Sequence, residues 1–162
     1  MHKTIVFNSA LMDRFLGDVR QRFPRKTFGY FLARSRFGQP EDYIVMAENV
    51  RDDWLQDFHA YGQYYVDHHD AGFLATPEET WRVEREIRRR EMFKVGVFHS
   101  HQRHPGILTS VDVDFHPEPD LWHALVVLRN LDYPQFRAFD ILPGGRVAER
   151  PVTVSALAGA AS

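Results

Sequence analysis

The chain has 162 residues, 44% apolar and 26% charged, enough for one globular domain with a single core. Its 20 basic and 22 acidic residues leave no positive field to draw nucleic acid or an anionic membrane. Cysteine is absent, which excludes disulfides, cysteine-ligated metals and a cysteine nucleophile, whereas 9 histidines make metal chemistry worth testing.

No secretory segment and no apolar run of membrane-spanning length stand in the sequence, so a cytoplasmic protein is expected. The expected division is one domain over residues 1–155 and a flexible tail over 156–162. Thr4–Phe7 reads as a strand, and Asn8 or Ser9 then caps a helix over Ala10–Phe23, where Leu11, Phe15 and Val19 recur every fourth residue. Pro24 ends that helix. Thr27–Arg34 is an aromatic-rich buried strand, Phe37–Asp42 a turn, and Tyr43–Met46 the start of the next strand. Arg51–Gly72 has no clean period and reads as loop. Thr76-Pro77-Glu78-Glu79 opens a helix that should reach about Met92, with threonine as cap and proline at the first position. Strands follow at Lys94–Phe98, Leu121–Leu128 and Gln135–Leu142, and Pro143-Gly144-Gly145 turns into a last one near Val147–Val154. The sum is an α/β domain with a mixed sheet and at least two helices.

The chemistry concentrates between Val95 and Asp114. His99 and His101 alternate at the end of an apolar strand, so both side chains point to one face. Asp112 follows at a distance that lets a loop return its carboxylate to the same point. Two histidines and one carboxylate leave a coordination position open for water, the arrangement of a catalytic zinc site. A lone His-x-His is more often two satisfied core residues. The strand before it and the spaced aspartate after it favour the metal.

This stretch resembles the JAMM motif of the MPN metalloproteases: His-x-His, seven residues, Ser, two residues, Asp, with a glutamate far upstream. Gly96 before the first histidine, Phe28-Gly29-Tyr30-Phe31-Leu32 and Asn49 at a strand end extend the likeness over residues 1–142. The resemblance implies an MPN domain, a cytidine-deaminase-like α/β fold with a mixed central sheet flanked by helices. It implies Zn²⁺ on His99, His101 and Asp112, and hydrolysis of a peptide or isopeptide bond. The implied partner is a ubiquitin-like or sulfur-carrier protein cut after its Gly-Gly tail, with neither nucleic acid nor membrane involved.

The chain departs from the family at three points. Thr109 stands where the family serine donates to the oxyanion, and Ser110 is the alternative donor. Gln102-Arg103-His104-Pro105 replaces the usual His-Pro step. Most important, Lys26 stands where the family places its general-base glutamate, and a protonated lysine cannot accept a proton. Either another carboxylate serves, with Glu48 ahead of Glu91 and Asp114, or Lys26 has been recruited to hold an anionic substrate. The second case suits hydrolysis of a small-molecule amide or thioester. A third alternative is a catalytically impaired MPN scaffold that binds a partner. His68-His69-Asp70 reads as solvated loop, because adjacent histidines on a strand face opposite ways. His104 and His116 lie near enough to the motif to line a groove or orient a ligand. Arg82, Arg85 and Arg89 share one helix face, read as solvated, and Trp54, Trp81 and Trp122 are assigned to the core and a groove wall.

Overall fold

The computed structural model describes residues 3–47, 60, 62–63 and 74–156. Its first strand, β1 (Ile5–Asn8), passes straight into the first helix, α1 (Ser9–Arg22). The Asn8 side chain accepts from the Leu11 amide at 2.8 Å and satisfies one of the open donors of the helix start. Leu11, Met12, Phe15 and Val19 form the buried stripe of α1. β2 (Phe28–Ala33) is buried along its whole length, and β3 (Asp42–Val45) is the edge strand beside it.

α2 (Pro77–Arg89) begins as its sequence indicates, with the Thr76 hydroxyl accepting from the Glu79 amide. It stops short of Met92, because Glu91 adopts a left-handed backbone with φ of 55°. The chain then enters β4 (Phe93–His101), the short helix α3 (Ser110–Asp114), β5 (Trp122–Val127) and β6 (Gln135–Leu142). The turn Pro143–Gly145 leads to β7 (Arg146–Arg150) and β8 (Val152–Ser155).

Six strands form the main sheet in the order β3-β2-β4-β5-β6-β7. β4 and β5 are parallel and the other neighbours antiparallel, so the sheet is mixed. One expectation needs correction. The final apolar stretch is two strands rather than one, divided at Pro151. Proline has no N–H for the ladder, and its carbonyl accepts from the Ile5 amide at 2.9 Å. Beyond it, β8 leaves the main sheet and pairs in parallel with β1, Ile5 opposite Val152.

The two faces of the sheet differ. Toward α1 lie Phe7, Phe15, Phe31, Phe98 and Trp122. The Phe31 ring lies within 5.3 Å of the other four, centroid to centroid. Toward α2 lie Phe28, Leu32, Ile44 and Val97, packed on Val83 and Ile87. Gly96 is required at its place, since a Cβ there would meet the Trp122 ring at 2.5 Å. Trp122 is core as expected, while Trp81 is 63% exposed with the Arg85 guanidinium 4.5 Å over its ring. Glu48, Asn49, Trp54, His68, His69, Asp70, most of residues 51–72 and residues 157–162 lie outside the described residues.

Candidate metal centre

Alternation along β4 puts Val97, His99 and His101 on the α2 face and Phe98 and Ser100 on the other. Ser100 is buried and works as a clip. Its amide donates to the Thr27 carbonyl at 2.8 Å, and its hydroxyl accepts from the Thr27 amide at 2.8 Å. The residue between the two histidines therefore fixes the start of β2, and with it the half-buried Lys26.

After His101 the chain turns back on itself. The Pro105 carbonyl lies 3.1 Å from His101 Nδ1. A carbonyl only accepts, so His101 carries a proton on Nδ1 and turns its Nε2 toward His99 and Asp112. The Thr109 hydroxyl then caps α3 by accepting from the Asp112 amide at 3.2 Å, and the Asp112 carboxylate accepts from the Thr109 amide at 2.9 Å. This reciprocal capping box holds the carboxylate in place. Asp112 Oδ1 lies 3.1 Å from His99 Nε2, and Oδ2 lies 3.3 Å from His101 Nε2. The two Nε2 atoms are 2.8 Å apart. All three residues are buried, and their ligand atoms converge closely enough to hold one metal ion.

The electrostatics fit a cation. Burial pushes the His99 pKa down to about 3, so the ring is neutral and offers a lone pair at neutral pH. Burial opposes ionisation of Asp112, but the His99 and His101 rings against it and the Lys26 charge hold its pKa well below the usual carboxylate range. Two imidazoles and one carboxylate are the donor set that zinc and similar ions accept.

The sequence overlooked His123. It is fully buried in β5, and its Nε2 lies 2.7 Å from His99 Nδ1. The available signal was a polar ring inside the apolar run Leu121–Leu128, where an unpartnered imidazole is costly. Burial pushes the His123 pKa well down and keeps it neutral. His116 joins from beyond α3, its Nδ1 3.0 Å from His123 Nδ1. His104 packs against His101, with ring centroids 5.3 Å apart.

Of the candidate acids, Glu91 is exposed in the turn before β4. The six residue steps from Phe93 to His99 span about 20 Å of strand, which removes Glu91 from the site. Asp114 is also exposed, and helical rather than strand geometry turns it away from Asp112. Glu48 lies outside the described residues. Ser110 is exposed at the first position of α3, beside the half-buried Thr109. Lys26 is close enough for its charge to act on both His99 and Asp112. No helix among the described residues is long and apolar enough to cross a membrane.

No protein-family model matches the sequence, and no curated protein does. Solved structures do. The solution structure of protein DSY2949 from Desulfitobacterium hafniense matches with a TM-score of 0.70 at 21% identity, over 94% of this chain and 93% of that one. The solution structure of a Salinibacter ruber protein matches at 0.63 with 15% identity, over 94% and 92%. The crystal structure of AF2198, a JAB1/MPN domain protein from Archaeoglobus fulgidus, matches at 0.51 with 13% identity, over 93% and 99%. Identities this low speak for the fold. The architecture is MPN-like, as the motif implied.

Proposed function

We propose that this MPN-like chain is a zinc-dependent hydrolase of the JAMM type that cleaves a peptide or isopeptide amide. The observation that carries this reading is the buried convergence of His99, His101 and Asp112. Three protein ligands leave a fourth position open, the pattern of catalytic rather than structural zinc. His99, His101 and Asp112 would hold the ion, which when bound would supply Lewis acidity and activate water at neutral pH. The Thr109 hydroxyl accepts from the Asp112 amide and keeps its own proton to donate toward a developing oxyanion. Ser110 beside it is the alternative donor. The substrate that suits this reading is a ubiquitin-like or sulfur-carrier protein joined through its Gly-Gly tail.

The test is metal content together with cleavage of a Gly-Gly fusion. One zinc per chain and a cleavage activity, both lost in His99→Ala, support the reading. A purified chain that takes up no zinc and cleaves nothing overturns it in favour of a binding scaffold.

One observation favours a second reading within the same chemistry. The Lys26 charge acts on the candidate ligands from the place where a carboxylate base is expected. A cation there suits an anionic small-molecule amide or thioester. Lys26→Glu separates the two readings. If the base is merely missing, the substitution raises Gly-Gly cleavage by about 10²–10⁴-fold, the usual worth of a general base. If Lys26 holds an anionic substrate, the same substitution raises KM for that substrate and leaves Gly-Gly cleavage low.

A further inference from the structure

The buried imidazoles do not end at the candidate ligands. His99, His123 and His116 form a row linked by ring nitrogens, at 2.7 Å and then 3.0 Å. His99 and His123 are fully buried, and His116 closes the row at a half-buried position. Each link holds one proton, so neutral rings can run in two directions only.

In one direction His99 carries its proton on Nε2, facing His101 Nε2 at 2.8 Å and Asp112 Oδ1 at 3.1 Å. His123 then donates from Nε2 to His99, and His116 donates from Nδ1 to His123. That direction occupies the nitrogen a metal would need. In the other, His99 donates from Nδ1 to His123 Nε2, His123 donates from Nδ1 to His116 Nδ1, and His116 carries its proton on Nε2. Only this second direction leaves the His99 Nε2 lone pair open toward His101 and Asp112. His101 needs no such row, because the Pro105 carbonyl already fixes its proton on Nδ1.

We infer that His123 and His116 are positioning residues that hold His99 in its metal-ligating tautomer. The inference rests on the metal reading above. The row ends at His116 Nε2, a buried atom with no hydrogen-bond partner in the structure. Partners of this kind set which nitrogen of a ligating histidine is free, and their loss commonly weakens metal binding about 10–100-fold.

The test is zinc affinity of the full chain by chelator competition, read beside nitrogen NMR of the histidine rings. His123→Phe should keep the fold and bind zinc about 10–100-fold more weakly. His123→Gln should recover much of that loss, because its amide oxygen can accept the His99 Nδ1 proton. His116→Phe, at the half-buried end, should give a smaller loss and serves if His123→Phe does not fold. In the zinc-loaded wild type, His99 and His123 should be in their Nδ1–H forms. Wild-type affinity in folded His123→Phe, or in His116→Phe where it stands in, overturns the inference, as does a zinc-loaded protein in which His123 carries its proton on Nε2. A fall from two bound ions to one in His123→Phe also overturns it, by making His123 a ligand. A wild type that binds no zinc fails differently, removing the metal reading along with the inference.

Discussion

The two faces of β4 and β5 come from the same residues in alternation, yet they do opposite things. Phe98, Trp122, Ala124 and Val126 enter an apolar, aromatic core against α1. His99, His101 and His123 are just as buried but face the α2 side, where every ring nitrogen with an identified partner meets a polar atom. The aromatic face gains stability from area removed from water. The histidine face forgoes that gain, because polar rings only break even when hydrogen-bonded. A site is thus carried on a sheet whose stability is supplied from behind.

If this division is right, perturbing the aromatic face should cost the most. Phe31→Ala should destabilise by about 3–5 kcal/mol in denaturant unfolding, whether or not metal is present. A loss below about 1 kcal/mol would mean the core lies elsewhere. On the histidine face, His99→Ala should cost the metal-free chain about 1–3 kcal/mol, since His123 and Asp112 lose a buried partner. Zinc should then restore nothing to the variant, while at a hundredfold excess over Kd it should stabilise the wild type by about 2.7 kcal/mol. Equal zinc effects in both proteins would move the metal away from His99.

Between the faces, Thr109 tests how α3 serves the site. Thr109→Ala should cost about 1 kcal/mol through the lost cap and weaken zinc binding by loosening Asp112, and Thr109→Ser should restore both. Zinc affinity unchanged in Thr109→Ala would show that Asp112 is held by other means. The smallest effect belongs to the anchor of α2 over the histidine face. Glu79 accepts from Arg82 and from the Ala47 amide at 2.7 Å, and the Arg82 bond leads in lowering its pKa from 4.5. A carboxyl lowered on folding adds stability that is complete above its ordinary pKa and is lost as pH falls through the folded value. Stability should therefore decline from about pH 4.5 downward, and Glu79→Gln should flatten that decline. An identical acid profile in the variant would show that the contact contributes nothing.

What could be read in advance follows how locally each feature is determined. Asn8 and Thr76 announced their helices because a cap is satisfied within three residues. His99, His101 and Asp112 were legible because strand alternation and one capped turn bring them together. His123 was not, since its partner lies on the neighbouring strand and only the parallel register of β4 and β5 reveals it. The break at Pro151 had a local signal, a proline after Glu149 and Arg150, but only the distant β1 shows where β8 goes. Lys26 could be flagged as anomalous by position, but its nearness to the ligands depends on Ser100 clipping Thr27.

The pairing of β1 with β8 has a consequence for how the chain is made. Arg150 Nε donates to the Lys3 carbonyl at 2.6 Å, a bond between residues 147 apart. Closing so long a loop is entropically unfavourable and comes late. During synthesis β1 leaves the ribosome well over a hundred residues before its partner strand β8. The segment holding His99, His101 and Asp112, by contrast, closes within a few turns of chain. The expected order is therefore ligand group early and the β1–β8 seam late. Hydrogen exchange should reflect this, with the β1–β8 amides opening ahead of those in β4 and β5.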